Sequence, residues 1–302
     1  MTPLQLFLQQ LTNGLTLGAI YALIALGYTM IYGVVQLINF AHGEVFMVGA
    51  YAALSAVLVA SAAHAPWWVV LLAASGVAMV CCGILGLAIE RAAYRPLRQA
   101  PRLNALITAI GVSFFLQNAV MLLYGATDRQ FPSLVPLAHW GFGGVTLTTM
   151  DAVVWMSSGV LMIGLQVLVM STKLGMAMRA TAQDLKACAL LGIPVDRIIA
   201  LTFLIGSALA ATGGTLFGLK YGTINFHDGY LMGLKAFTAA VLGGIGNIPG
   251  AMVGGIILGL LEGLGAGYLS AQWKNVFAFL ILVVLLLCKP TGLLGERVAE
   301  RA

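Results

Sequence analysis

The feature that most constrains this chain is the length of its uncharged runs. No Asp, Glu, Lys or Arg occurs before Glu44, between Glu44 and Glu90, between Arg102 and Asp128, or between Asp151 and Lys173. The same holds from Arg197 to Lys220, from Lys235 to Glu262 and from Lys274 to Lys289. One helix needs about 20 apolar residues to cross the hydrocarbon core of a bilayer, and these runs supply them repeatedly. A transmembrane β-barrel would show short segments of alternating polarity instead. Because lipid satisfies no backbone hydrogen bonds, helices are the remaining way to span it. Composition agrees: 61% of the residues are hydrophobic and 8% are charged, against about 25% charged in a typical soluble domain.

The few charges orient the chain. Basic residues cluster in Arg91, Arg95, Arg98 and Arg102, in Lys173, Arg179, Lys186 and Arg197, and in Lys289, Arg297 and Arg301. The positive-inside rule makes these three segments cytoplasmic. The net charge of +5 therefore reports orientation in a membrane, and no nucleic acid is expected as a partner. The other basic residues, Arg129, Lys220, Lys235 and Lys274, fall in connections that an alternating path puts outside.

Spans are expected near Leu6–Val35, Val45–Ala62, Trp67–Ile89, Leu103–Tyr124, Ala152–Met170, Ile198–Leu219, Leu231–Ile248, Ala251–Leu269 and Asn275–Cys288. The result is an all-α polytopic bundle of about eight to nine transmembrane helices, forming one domain over residues 1–302, with the N-terminus outside. The N-terminus lacks the basic region of a secretory signal and is kept as the first span, although Asn13, Gly14, Gly18 and Gly27 leave that span open to a break. Gly243-Gly244 through Pro249-Gly250 cannot continue a regular helix. A re-entrant segment there would have to face the interior. Trp67, Trp68, Trp140 and Trp273 sit where amphipathic rings anchor the outer interface. Cys81, Cys82, Cys188 and Cys288 have neither metal nor disulfide spacing and read as small core residues. His42, His64, His139 and His227 are scattered.

No G-x-x-x-x-G-K-[ST] loop, G-x-S-x-G elbow or H-E-x-x-H helix occurs. Catalysis is not expected, and any ATP that drives this chain must bind another polypeptide. The cytoplasmic stretch Gly175 to Pro194 spells a short helix. Thr181 with Asp184 reads as a capping box and Gly192 with Pro194 as a stop, leaving about ten residues, roughly 16 Å. Leu185, Cys188, Ala189 and Gly192 fall on one face. Spacing alone leaves two readings open, a docking helix for an external motor or an ordinary capped loop helix.

Two polar features lie within apolar surroundings. Asn39 can cap the span that follows, and Glu44 suits its N-terminus through the helix dipole. The other reading of His42 and Glu44 is a pathway or gate. Glu262 lies deep in an apolar run, where a carboxylate costs at least about 2.5 kcal/mol, so it should not face lipid. Gly255, Gly259, Gly263 and Gly267 form a small-residue ridge beside it and turn it into the bundle. There it either neutralises a basic group or lines a route, or it is protonated and bonded to backbone.

The cytoplasmic stretch resembles the coupling loop of ABC importer permeases, roughly Glu-Ala-Ala, three residues, then Gly. Here it reads Lys186-Ala187-Cys188 and Gly192, without the acid. A closer resemblance, over almost the whole chain, is to the Liv-type branched-chain amino-acid permeases. It is carried by Ile38 to Glu44 with Gly49-Ala50-Tyr51, by Leu191-Gly192-Ile193, by Gly233 to Phe237 through Gly243-Gly244 and Gly254-Gly255, and by Leu261-Glu262 through Tyr268 with Lys289-Pro290. The resemblance implies an inner-membrane permease subunit of an ATP-driven importer, working by alternating access. It also implies two cytoplasmic ATPase subunits, a second similar permease and a periplasmic binding protein.

On this reading Arg179, Thr181, Asp184, Lys186, Ala189, Gly192 and Ile193 couple to the ATPase. Asn39, His42, Glu44, Gly243, Gly244, Asn247 and Glu262 are candidates for pathway or gate, with broken backbone at Gly243 to Gly250 meeting the charged ends of the solute. The rivals are a permease for a sugar or other solute, and a proton-coupled carrier titrating Glu262.

Overall fold

The computed structural model describes residues 2–61, 65–98, 100–136, 138–142, 144–289 and 291–295. Ala62, His64, Pro290, Arg297 and Arg301 lie outside them. In chain order the elements are α1 (Pro3–Val35), α2 (His42–Ser61), α3 (Trp67–Ile89), α4 (Arg102–Tyr124), β1 (Arg129–Gln130), β2 (His139–Phe142), β3 (Val145–Thr148) and α5 (Thr149–Ser171). Then come α6 (Lys173–Gln183), α7 (Leu185–Leu190), α8 (Val195–Tyr221), β4 (Thr223–Ile224), α9 (Asp228–Gly243), α10 (Ile248–Tyr268) and α11 (Lys274–Cys288). Among the described residues seven helices are long and apolar enough to cross a membrane: α1 to α5, α8 and α10. α11 is a shorter apolar helix.

The first helix is unbroken. Thr2 and Gln5 close a capping box and Pro3 sets the first turn, after which 33 residues run for roughly 50 Å. The glycines expected to break it serve close packing instead. Gly14, Gly18 and Ala22 of α1 meet Gly263, Gly259 and Gly255 of α10, backbone against backbone. That is the contact the glycine ridge predicts, since only small residues let two helices approach so far. α1 is buried nearly all round from Gly14 to Ile31, with α8, α9 and α10 around it. α3, α4, α5 and α11 turn large apolar side chains outward, among them Leu72, Phe115, Val160 and Leu287. Such an apolar belt suits contact with hydrocarbon.

Two buried ends of secondary structure depart from a simple row of spans. α1 stops at Gln36, whose φ of 55° breaks the helix, and residues 37–41 lead back into the bundle. α2 then starts with His42 fully buried, its ring where a Cβ of Gly27 would be, beside Gly206. From Gly27 to the end of α1 is roughly 12 Å, and from the start of α8 to Gly206 roughly 16 Å. α2 therefore begins near mid-bundle. The second is the turn between α9 and α10, where Gly244 and Gly246 take positive φ and Asn247 caps α10 by accepting from the Gly250 amide at 2.9 Å. The chain's last described residues clasp this turn: Leu293 N donates to Leu242 O, Leu294 N to Gly243 O, and Asn247 Nδ2 to Leu294 O.

The first two basic segments meet at one end of the bundle, where Arg95 and Arg98 pair with Asp196, and Arg98 also pairs with Glu90. At the opposite end the β2–β3 hairpin is tied to α1 through Gln9 and Thr146. There Lys220 binds Asp151 at 2.6 Å, and Thr16 donates to the same carboxylate. The cysteines are free; Cys82 and Cys188 are buried, but Cys81 and Cys288 are exposed and so are not core residues.

Candidate functional site

Lys235 is not in an outer connection, as the alternating path placed it. It lies inside α9, 4% exposed, and donates to Glu262 Oε1 at 2.7 Å. Glu262 on α10 is 2% exposed, and its Oε2 accepts from the Tyr21 hydroxyl of α1 at 2.8 Å. Glu262 is thus placed to neutralise a basic group, one of the alternatives that the sequence offers. The pair sits roughly 9–11 Å below the ends of its helices, counted from Asp228 to Lys235 and from Glu262 to Tyr268. An ionised side chain at such depth is tolerated when paired, because unpaired burial costs several kcal/mol.

The pair forms the floor of a cavity of about 380 Å³ at the end away from the basic segments. Leu17, Phe217 and Met232 make an apolar wall; Asp128, Asp228 and Lys274 bring further charge to the lining. Asn225 holds the two aspartates, its side chain donating to Asp128 and its backbone amide to Asp228. A much smaller hollow, about 80 Å³, lies toward the basic end, lined by Thr29, Met30, Gly33 and Arg179 among others. Between the two, Leu23, Ile24, Ala25 and Leu26 of α1 are fully buried. The arrangement is thus a polar hollow on one side, closed by packed core toward the other.

Of the remaining pathway candidates, Asn39, His42 and Glu44 come together at the buried start of α2. Asn39 Oδ1 accepts from the Ala41 amide and from the Tyr94 hydroxyl; Ala41 precedes α2, so Asn39 holds the turn before the helix and does not cap the helix itself. Glu44 stands in the first turn of α2 and accepts from Ser113 at 3.1 Å. Its other oxygen lies where a Cβ of Gly229 would be and has no hydrogen-bond partner among the described residues. His42 packs edge-on against Tyr28 with centroids 4.7 Å apart. Gly243, Gly244 and Asn247 are separate from both groups, at the clasped turn. Among the described residues no cluster of His, Cys, Asp and Glu is arranged to hold a metal.

The model of a family described as branched-chain amino acid transport system, permease component, matches residues 10–286. This chain belongs to that family. The permease is 50% identical to the high-affinity branched-chain amino acid transport system permease protein LivH of Escherichia coli strain K12, over 98% of this chain and 97% of that one. It is 49% identical to LivH of Salmonella typhimurium over the same shares. To the corresponding permease protein BraD of Pseudomonas aeruginosa it is 49% identical over 98% of both chains.

At the permease's basic end the expected single capped helix is two. α6 contains Thr181, buried, its hydroxyl donating back to Ala177 O at 2.7 Å. Asp184 is the cap, accepting from the amides of Lys186 and Ala187 and starting the six-residue α7. The capping box fails because a Thr already inside a helix bonds its own i−4 carbonyl. Gly192, at φ 80°, does end the segment. Nor do Leu185, Cys188, Ala189 and Gly192 share one environment: Cys188 is buried and the others are exposed. Arg179 and Lys186 are exposed and Ile193 partly so, while Leu190 and Leu191 are 89% and 81% exposed.

Proposed function

We propose that this permease is the inner-membrane subunit of an ATP-driven importer for branched-chain or related amino acids. The observation that carries the reading is the half identity, over nearly the full length, to proteins named for that transport. The chain works as one membrane domain, with α9 and α11 adding crossings to the seven long helices and the N-terminus outside. Solute enters the outer cavity and leaves on the basic, cytoplasmic side by alternating access.

The motor is a separate pair of ATPase subunits, since the chain has no phosphate-binding loop. They dock on α6 and α7, where Arg179, Thr181, Asp184, Lys186, Ala189, Gly192 and Ile193 lie. Exposed Leu190 and Leu191 offer an apolar handle of the kind that interfaces bury. A sister permease and a periplasmic binding protein complete the assembly. Asn39, His42 and Glu44 form a gate at mid-bundle, and the Gly243, Gly244 and Asn247 turn transmits motion from the motor side. A proton-coupled carrier fits less well, since Glu262 already has Lys235 as its counter-ion.

Purification from the native membrane tests this reading: two ATPases and a sister permease should be recovered together. Vesicles holding that complex should take up leucine in preference to ribose, and only with ATP. Full-rate uptake by the purified chain alone would end the proposal.

A further inference from the structure

A neutral pair of buried charges needs a reason. Replacing such a pair by well-packed apolar residues is often neutral or stabilising, so holding the bundle together does not by itself account for it. Its position does, because Lys235 and Glu262 both line the outer cavity. Neither is saturated. An ammonium has three donors and a carboxylate about four acceptor sites, while Lys235 gives one bond to Glu262, and Glu262 accepts one from Lys235 and one from Tyr21.

We infer that the Lys235–Glu262 pair at the floor of the outer cavity receives the zwitterionic head of an aliphatic α-amino acid. The solute carboxylate takes free donors of Lys235, and the solute ammonium takes free acceptor sites of Glu262. Four alternating charges then sit together with no net charge added to the interior, which is the least costly way to desolvate a zwitterion. Asp228 and Asp128 offer further acceptors to the ammonium on its way in. Leu17, Phe217 and Met232 receive the aliphatic side chain. The cavity, about 380 Å³, is of the size that holds one small ligand. A neutral sugar brings no charge to set against either member of the pair.

This rests on the amino-acid reading above, and the test separates the two. The complete transporter is reconstituted in vesicles, and leucine uptake is measured with binding protein at saturation, so that the rate reports the permease. Lys235→Met and Glu262→Gln each strand one buried charge, so the deciding variant is Lys235→Met with Glu262→Met, which removes both. It should assemble with its ATPases and carry leucine at least tenfold more slowly than wild type. Met232→Trp, which fills the apolar wall and leaves the pair intact, should show a comparable loss. Wild-type leucine uptake by the double variant overturns the inference alone. If that variant does not assemble, Met232→Trp decides, and full uptake by it overturns the inference. Absence of leucine uptake by the wild-type complex overturns the amino-acid reading and the inference with it.

Discussion

Substituting Gly18 by Ala sets two known effects against each other. Inside a helix, Ala is favoured over Gly by about 1 kcal/mol, so an unobstructed Gly→Ala change should stabilise the chain. At Gly18 the added Cβ would stand 2.8 Å from Ile256 Cα, 2.9 Å from Ile256 O and 3.0 Å from Gly255 O. Carbon contacts prefer about 3.5–4.0 Å, and every one of these neighbours is backbone that no rotamer can move aside. α1 and α10 must separate locally, and overpacking of this kind costs about 1–3 kcal/mol. Taking the upper part of that range, the net loss is about 1–2 kcal/mol. At about 2–4 °C per kcal/mol for a chain of this size, the unfolding midpoint in detergent should fall by about 2–8 °C. Gly111 on α4 is the control, exposed and with nothing within 4 Å of an added Cβ, and Gly111→Ala should hold or raise the midpoint. If Gly18→Ala is as stable as Gly111→Ala, the α1–α10 contact is not the tight one described.

Asn247→Ala removes both the cap on Gly250 and the bond to Leu294 O; it should lower stability by about 1–2 kcal/mol and speed proteolysis of the tail, and no change in either measurement would count against the clasp. Lys220→Met leaves Asp151 without its cation, and because Lys220 is 22% exposed the expected cost is the low end for a buried pair, about 3 kcal/mol. Adding Asp151→Asn should recover much of it in the same thermal assay, and no recovery would mean that Lys220 acts through something other than charge. Leu190→Glu should leave the unfolding midpoint unchanged, as exposed sites do within about 0.5 kcal/mol, yet abolish recovery of the ATPases on purification. Undiminished recovery would move the docking site elsewhere.

Much of the architecture was legible because it follows from solvent. Uncharged runs and basic clusters locate helices and their polarity without reference to any contact, and the Gly255 to Gly267 ridge announces a close helix neighbour through size alone. What stayed hidden depends on partners distant in sequence. Lys235 reads as a charge that shortens an apolar stretch, until Glu262 is seen across the hairpin that joins α9 to α10. The available signal was that these two opposite charges bracket one uncharged run and flank one turn. The buried start of α2 was equally silent, since Asn39 to Glu44 reads as an ordinary interfacial cap when its depth is unknown. At the basic end the i, i+3 spacing of Thr181 and Asp184 was present, but backbone competition gave each side chain a different task.

The length of α1 has a mechanical consequence. Leu17 and Tyr21 border the larger hollow, Met30 and Gly33 the smaller, and all four ride on a single unbroken rod. Close backbone contacts hold that rod from Gly14, against Gly259, through Ala22, against Gly255, to Gly27, against Gly206. A rod held over so long a stretch moves as one body, so the borders that it lends to the two hollows cannot shift independently of each other.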